Sequence, residues 1–225
     1  MKISFVLVSL LFCINLNAQN GKLFLSNWQD DGNTEVKIPL DKYSYFKKGK
    51  LYYFLSNDNV NVNIFLNVTD LAVQNRILKQ GLTIWINMDS KPEKKMGVHF
   101  PIGSQNSSGT KNTPKLPDDN LDNEASLLQS LSLAKTIDLI GFISEEERHF
   151  PADNADTFRG SIIYDKGTLF YKLVMPITKL PVRNSKDHIG AMPFTLGIDY
   201  GPPVTKPPYK PVLFWIKNIK LANNR

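Results

Sequence analysis

Runs of β-branched and aromatic residues, bounded by Asn, Asp, Gly and Pro, recur at intervals of about ten residues along most of the chain. The clearest run spans residues 60–69, where aliphatic residues at even positions alternate with Asn, Phe and Thr at odd positions. A period of two is typical of a strand with one buried side and one solvent-facing side. The pattern predicts about nine strands, at residues 34–39, 50–55, 60–69, 82–87, 136–143, 158–164, 168–175, 194–200 and 212–219.

Helical signals are confined to two short segments. Asp70 is placed to cap a helix that carries apolar residues between Leu71 and Leu78, and Gly81 is placed to end it. Residues 127–133 predict a second helical turn. Since strands and helices do not alternate regularly, the sequence predicts an all-β fold, an antiparallel β-sandwich of immunoglobulin-like or jelly-roll-like type with one or two short helices.

The remaining chain is organised as one domain. Residues 103–123 are rich in Ser, Asn, Thr, Pro, Gly and Asp and lack periodic apolar positions, which predicts a long polar loop within the domain. Chains of this size bury enough surface to form a single core without disulfides. We therefore expect residues 19–225 to form one β-sandwich domain.

The N-terminus is typical of an export signal. Lys2 precedes an apolar run from Ile3 to Leu16, and Ala18 is the small residue that follows it. Residues 1–18 are therefore predicted to be a cleaved signal peptide, and the protein to be exported, periplasmic or secreted. The apolar run is shorter than the roughly 20 residues that a membrane helix needs, so we predict no membrane span.

Composition removes several functions from consideration. The only cysteine, Cys13, lies in the predicted signal, which excludes disulfides and thiol catalysis from the mature domain. The chain has 27 Lys and Arg against 21 Asp and Glu, and the basic residues are scattered. A dispersed excess of this size is typical of a solvated surface, and we predict no binding to nucleic acid.

Four segments resemble a known family when taken in order. They are Leu51–Tyr53 through Asp70, Gly81–Asn87, Gly97–Pro101, and Phe170–Pro176 followed by Phe194–Asp199. This arrangement is similar to the β-sandwich of family 9 carbohydrate-binding modules and of DOMON-type sugar- or haem-binding domains of exported bacterial proteins. The resemblance implies a glycan or another extracellular ligand, and it assigns no ligand-binding residue. Haem would need axial ligands, for which His99 is the best candidate, but we predict no cofactor.

Exposed rings near polar side chains are what a sugar site requires, because sugar C–H faces stack on rings and hydroxyl groups need hydrogen-bond partners. Trp28 lies in a polar segment, and Tyr200 and Tyr209 flank Pro-rich sequence that could display rings. These three residues are the predicted ligand-binding residues. Trp85 and Trp215 are the other tryptophans, and Trp85 is expected to be buried in its apolar strand.

Motifs for catalysis are not evident in the sequence. It contains no HExxH, no Gly-x-Ser-x-Gly and no phosphate-binding glycine loop. The sequence therefore favours an exported, non-catalytic binding domain for a glycan or other extracellular ligand. Two alternatives stay open. One is an accessory or structural protein that binds a protein partner, and the other is a glycoside hydrolase with two carboxylates about 5–10 Å apart. The sequence does not indicate an oligomeric state.

Overall fold

The structure of the protein is a computed structural model. It describes residues 24–28, 38–88, 92–103, 124–142, 149–153, 158–180, 193–201 and 212–222. The strands are β1 (Phe24–Leu25), β2 (Asn27–Trp28), β3 (Ser44–Phe46), β4 (Leu51–Asn57), β5 (Asn61–Val68), β6 (Leu82–Asn87), β7 (Gly97–His99), β8 (Thr136–Ile140), β9 (His149–Pro151), β10 (Arg159–Asp165), β11 (Thr168–Pro176), β12 (Phe194–Tyr200) and β13 (Val212–Lys220). The helices are α1 (Leu71–Gln80) and α2 (Glu124–Ser132), with 3-10 turns at Leu40–Lys42, Lys47–Gly49 and Ile177–Lys179.

These strands form two sheets that enclose one core. The first has seven strands in the order β1-β13-β12-β6-β7-β8-β9. The second has six, in the order β10-β11-β5-β4-β2, with β3 also paired to β4. All pairs are antiparallel except β1 with β13 and β2 with β4. The predicted antiparallel β-sandwich with two short helices is therefore confirmed.

The core lies between the sheets and is closed at one end by α1. Alternate residues of the long strands point inward, so that each sheet contributes a layer of aliphatic and aromatic side chains. The inward residues include Leu55, Ile64, Leu66, Ile84, Ile86, Phe100, Tyr171, Leu173, Leu196 and Ile198, all at most 2% exposed.

Helix α1 begins and ends where the sequence predicts. The Asp70 carboxylate accepts a hydrogen bond from the Val73 backbone N–H at 3.1 Å, which satisfies one of the unpaired donors of the first turn. Gly81 follows the last turn with a φ of +88°, a conformation that a residue with a Cβ rarely adopts. Val73, Ile77 and Leu78 of the helix are buried.

Strand β5 differs from the sequence prediction on its outward side. Asn63 and Asn67 were expected to face solvent, yet they are 8% and 7% exposed. Asn67 lies between Tyr52 of β4 and Phe170 of β11 in the register, and it hydrogen-bonds to Tyr43. The prediction of a wet face was therefore wrong at both positions, and at Asn67 the neighbouring rings provide the cover.

Three other sequence predictions lie outside the described residues. These are the signal peptide at 1–18, nearly all of the polar loop at 103–123, and most of the strand at 34–39. Among the residues that the structure does describe, no helix is long and apolar enough to cross a membrane.

Tyr171 gives a test of the core. Its ring is 2% exposed, and its hydroxyl has no hydrogen-bond partner among the described residues. Burial raises the pKa of this hydroxyl, so the group stays protonated and polar inside the core. We expect Tyr171→Phe to increase the free energy of unfolding by about 1 kcal/mol, measured by urea denaturation.

Tyr53→Phe is the matched control, because the Tyr53 side chain hydrogen-bonds to Ser44. Removing the Tyr53 hydroxyl therefore breaks a hydrogen bond. The control should be slightly destabilised. A destabilised Tyr171→Phe variant would show that its hydroxyl has a partner in the folded protein.

Candidate functional site

Two tryptophans lie in one row on the outward face of the seven-stranded sheet. Trp215 of β13 and Trp85 of β6 flank Gly197 of β12, and Gly97 of β7 lies on the other side of Trp85. Their neighbours along the strands, such as Ile84 and Ile216, belong to the core, so the alternation of the strands places both indoles on the outward side. Since adjacent strands are about 4.8 Å apart, the two tryptophan backbones are separated by about 10 Å.

The two glycines make room for the indole rings. A Cβ on Gly97 would lie 2.7 Å from Trp85 Cε3, and a Cβ on Gly197 would lie 2.6 Å from Trp215 Cζ3. Both separations are shorter than real Cβ contacts, so any other residue would displace the rings. Each tryptophan therefore lies close against the backbone of the neighbouring strand, and Trp215 is the more exposed of the two.

An ion pair lies beside the Trp85 ring. The Trp85 Nε1–H donates to Asp199 Oδ2 at 2.9 Å, and Lys94 Nζ lies 2.7 Å from the same oxygen. Lys94 Nζ is also 6.0 Å from the centroid of the Trp85 ring. The Lys94 side chain is 45% exposed and that of Asp199 is 14% exposed. The pair thus fixes the indole and places a donor and an acceptor at its edge.

A second polar pair lies one row further along the same face. Asn87 of β6 and Thr195 of β12 are directly opposite each other, and they are 8% and 0% exposed. Asn87 Nδ2 and Thr195 Oγ1 have no hydrogen-bond partner in the part of the chain that the structure describes. Unpartnered buried polar groups are rare and costly, and both of these atoms are covered by the surrounding protein.

Polar residues continue across the sheet on the other side of the tryptophan row. Asp199, Thr83, His99, Asp138 and His149 follow one another across β12, β6, β7, β8 and β9. His149 Nδ1 lies 3.5 Å from Asp138 Oδ1. Among the described side chains, no group of three or more His, Cys, Asp or Glu is arranged to hold a metal ion. We define the tryptophan face as Trp85, Trp215, Asp199, Lys94, Asn87 and Thr195.

The residues predicted from sequence lie elsewhere. Tyr200 is 2% exposed, and its hydroxyl donates to the Gly49 carbonyl at 2.5 Å. The expectation that Tyr200 displays its ring is therefore wrong, because it faces inward at the end of β12. Trp28 is partly buried at the edge of the six-stranded sheet, where it pairs with Asn57. Tyr209 lies outside the described residues.

Sequence reasoning missed most of the tryptophan face. The expectation that Trp85 is buried is confirmed, since it is 9% exposed, but its place on the outward side of the sheet was not predicted. The available signal was the pair of isolated glycines, Gly97 and Gly197, within apolar strands. Such glycines mark places where another group approaches the backbone closely.

Comparisons with known proteins gave one structural likeness. No protein-family model and no curated protein matches the sequence. A solved structure of a carbohydrate-binding module of family 9 from Caldicellulosiruptor kristjanssonii, in complex with glucose, is similar in fold with a TM-score of 0.41. Its sequence is 10% identical, and the alignment covers 91% of this chain and 97% of that one.

Proposed function

We propose that the protein is an exported, non-catalytic domain that binds a glycan at the tryptophan face. The observation that carries the proposal is the pair of indoles, Trp85 and Trp215, held against glycines in one row of the sheet. A sheet supports these rings rigidly, so little conformational entropy is lost when a ligand stacks on them. Export is proposed from the pattern of residues 1–18.

The chemistry around the rings supports a sugar over a purely apolar ligand. The C–H face of a pyranose is apolar and matches an indole surface, whereas its hydroxyl groups need hydrogen-bond partners. Asp199 accepts and Lys94 donates at one edge of Trp85. Rings and polar groups are thus arranged in adjacent rows.

Trp215→Ala is the substitution that tests this proposal. Trp215 is the more exposed of the two indoles, so its removal deletes stacking area without opening the core. We expect glycan affinity to fall by about tenfold or more, as for an aromatic residue at the centre of an interface. The melting temperature should change little. A glycan array identifies the ligand, and calorimetric titration with thermal melting measures both effects.

Two further variants make the test specific. Trp28→Ala removes a tryptophan from the edge of the other sheet, and its affinity should equal that of the wild type. Gly197→Ala keeps both indoles but adds a methyl group 2.6 Å from Trp215 Cζ3, so it should weaken binding by moving the ring. If no glycan binds across a broad array, or if Trp215→Ala binds as well as wild type, the proposal is wrong. Release of shorter sugars during incubation would favour the hydrolase alternative.

A protein partner is the second candidate function, and one surface favours it. On the outward face of the six-stranded sheet, Ile163 and Phe170 are cross-strand neighbours that are 60% and 40% exposed. Tyr45 of β3, near the other edge of that sheet, is 52% exposed. Exposed apolar residues of this kind are typical of surfaces that contact another protein. Two results together would favour this function. The wild type would bind a protein partner but no glycan, and Phe170→Ala would no longer bind that partner.

A further inference from the structure

Strand β10 forms one edge of the six-stranded sheet. It spans seven residues, Arg159–Asp165, and pairs with β11 on one side, whereas no described strand pairs with its other side. The strands at the other edges of the two sheets, β1, β2 and β9, have two or three residues each. Short edge strands limit pairing between molecules, so β10 is the described edge that another strand can extend.

The hairpin between β10 and β11 shows which backbone groups of β10 face this open edge. Asp165 and Thr168 are paired across a two-residue turn, in which residues 166 and 167 have φ angles of +48° and +81°. In an antiparallel pair, residues that bond to the neighbouring strand alternate with residues whose N–H and C=O point away from it. Since Asp165 bonds to β11 beside the turn, Ile162 and Tyr164 face the open edge.

Gly160 agrees with this alternation and bounds the open part of the edge. Its N–H points away from β11 and donates to the Ala152 carbonyl at 2.7 Å. The edge-facing N–H and C=O groups of Ile162 and Tyr164 have no hydrogen-bond partner among the described residues. Such groups are a template for a further strand, and neither Pro nor Lys interrupts β10 to prevent pairing.

The outward side of β10 carries an exposed apolar residue at the same place. Ile163 is 60% exposed, and its cross-strand neighbour Phe170 is 40% exposed. Ser161 and Asp165 are also exposed and lie two positions before and after Ile163 on the same side. A strand that pairs with β10 therefore needs an apolar residue opposite Ile163 and hydrogen-bonding residues on both sides of it.

A second copy of β10 meets these requirements in one register. When two copies run antiparallel about a two-fold axis at Ile163, each Ile162 lies opposite the partner's Tyr164. Each of these pairs exchanges two hydrogen bonds, and together they use all the unpartnered edge groups of both copies. Ile163 then contacts the partner's Ile163, and the Ser161 hydroxyl donates to the carboxylate of the partner's Asp165.

The neighbouring register is disfavoured by Gly160. A two-fold axis at Ile162 would place Tyr164 opposite the partner's Gly160, and the Gly160 N–H is already bonded to Ala152. The axis at Ile163 avoids this conflict and brings the exposed apolar residues of the two copies together. Their burial adds to the backbone hydrogen bonds, because apolar surface is removed from water.

We infer that β10 is a dimer interface, at which two copies of this chain join their six-stranded sheets into one continuous sheet. Both copies use the same strand, and the two-fold axis passes Ile163. The inference is independent of glycan binding, because β10 lies in the sheet that does not carry the tryptophan face.

Sedimentation analysis of the wild type and two lysine variants tests this interface. At about 100 μM protein, we expect the wild type to be mostly dimeric, as for a Kd of about 10 μM. Ile163→Lys places like charges opposite each other at the two-fold axis and should raise the dimer Kd by about tenfold or more. Val60→Lys is the matched control, because Val60 is 55% exposed and lies outside β10, and this variant should stay dimeric.

A cysteine variant tests the register. The chain's one cysteine, Cys13, is first replaced by Ser, and Ile163→Cys is then oxidised. We expect a disulfide-linked dimer, because directly opposite residues of a non-hydrogen-bonded pair have Cα atoms about 4.5 Å apart. Ser161→Cys is the control and should form little of this dimer, since the register places its two cysteines well apart.

Hydrogen exchange locates the paired backbone groups. On dilution to the monomer, exchange should accelerate at the amides of Ile162 and Tyr164, whereas the Ile163 amide, which bonds to β11, should remain protected. Equal acceleration at the three amides would contradict the inference.

Three further results would overturn the inference. A wild type that is monomeric at about 100 μM would contradict it and leave the open edge to a segment of another protein. A dimer that Ile163→Lys does not weaken would use another surface. So would a dimer in which Ile163→Cys forms no more disulfide than Ser161→Cys. The cysteine variants keep the test valid if Ile163→Lys does not fold, since both positions are exposed.

Discussion

Phe100→Ala is expected to lower the free energy of unfolding by about 3–5 kcal/mol, a loss typical of removing a fully buried aromatic ring. Phe100 is 0% exposed and connects the two sheets. Its backbone N–H donates to the Leu82 carbonyl at 2.8 Å, in the seven-stranded sheet. Its ring lies 5.8 Å from the ring of Tyr171 and directly against Gly160, both in the six-stranded sheet. Removing it leaves a cavity between the sheets.

Denaturant unfolding followed by tryptophan fluorescence measures this loss. For a domain of this size, we expect the melting temperature to fall by roughly 10 °C. Phe170→Ala is the matched control, because Phe170 is 40% exposed on an outward face, and its removal should cost much less. Equal stability losses in the two variants would contradict the placement of the core.

Asn57→Ala is expected to destabilise the protein by about 3 kcal/mol through loss of a buried polar bridge. Asn57 is 2% exposed at the end of β4. Its side chain accepts from the Ser26 hydroxyl and from the Ala222 backbone N–H, and it donates to the Ala222 carbonyl at 2.9 Å. The Ser26 backbone N–H in turn donates to the Lys220 carbonyl at 3.0 Å. These bonds connect β4 of the six-stranded sheet to Ser26, which follows β1, and to Ala222, which lies just after β13.

Hydrogen exchange of Ala222 and Lys220 gives a local measure in addition to global unfolding. In Asn57→Ala, exchange at these amides should accelerate more than exchange within β5, because the bridge is broken at its own end of the sandwich. Asn59→Ala, in the exposed turn that follows β4, should leave both measurements unchanged. Unchanged stability in Asn57→Ala would show that the bridge contributes little.

Period-two patterns predicted the long strands well because one side of each strand packs in the core. The run 194–200 is confirmed to the residue as β12, and the helix expected between Asp70 and Gly81 is confirmed as α1. Strands β1, β2, β3, β7 and β9 were not predicted, since two or three residues are too few to show a period. They are defined by pairing with distant strands, which a local pattern does not contain.

The error at Tyr200 has a simple cause. Phe194, Leu196, Ile198 and Tyr200 occupy alternate positions of β12, and all four are at most 2% exposed. The same alternation that predicts the strand therefore places Tyr200 inward. The neighbouring Pro-rich sequence suggested a displayed ring, but the side of the strand decides the orientation of the side chain.

The tryptophan face depends on register, and register is a property of the folded sheet. Trp85, Gly197 and Trp215 are separated by more than 100 residues in the chain from first to last, yet they are adjacent in one row. Sequence shows that each tryptophan lies in an apolar strand. It does not show that both lie outward beside glycines, or that Asp199 reaches Trp85.

The central claim is that a glycan binds on the tryptophan face, and the indole N–H signals of the protein test it most directly. The chain has three tryptophans, so a nitrogen–proton correlation spectrum of the protein should show three indole signals. During titration with the glycan selected on an array, the signals of Trp85 and Trp215 should shift together with saturation, and that of Trp28 should stay in place. A shift confined to Trp28, or no shift of Trp215 at saturation, would contradict the claim.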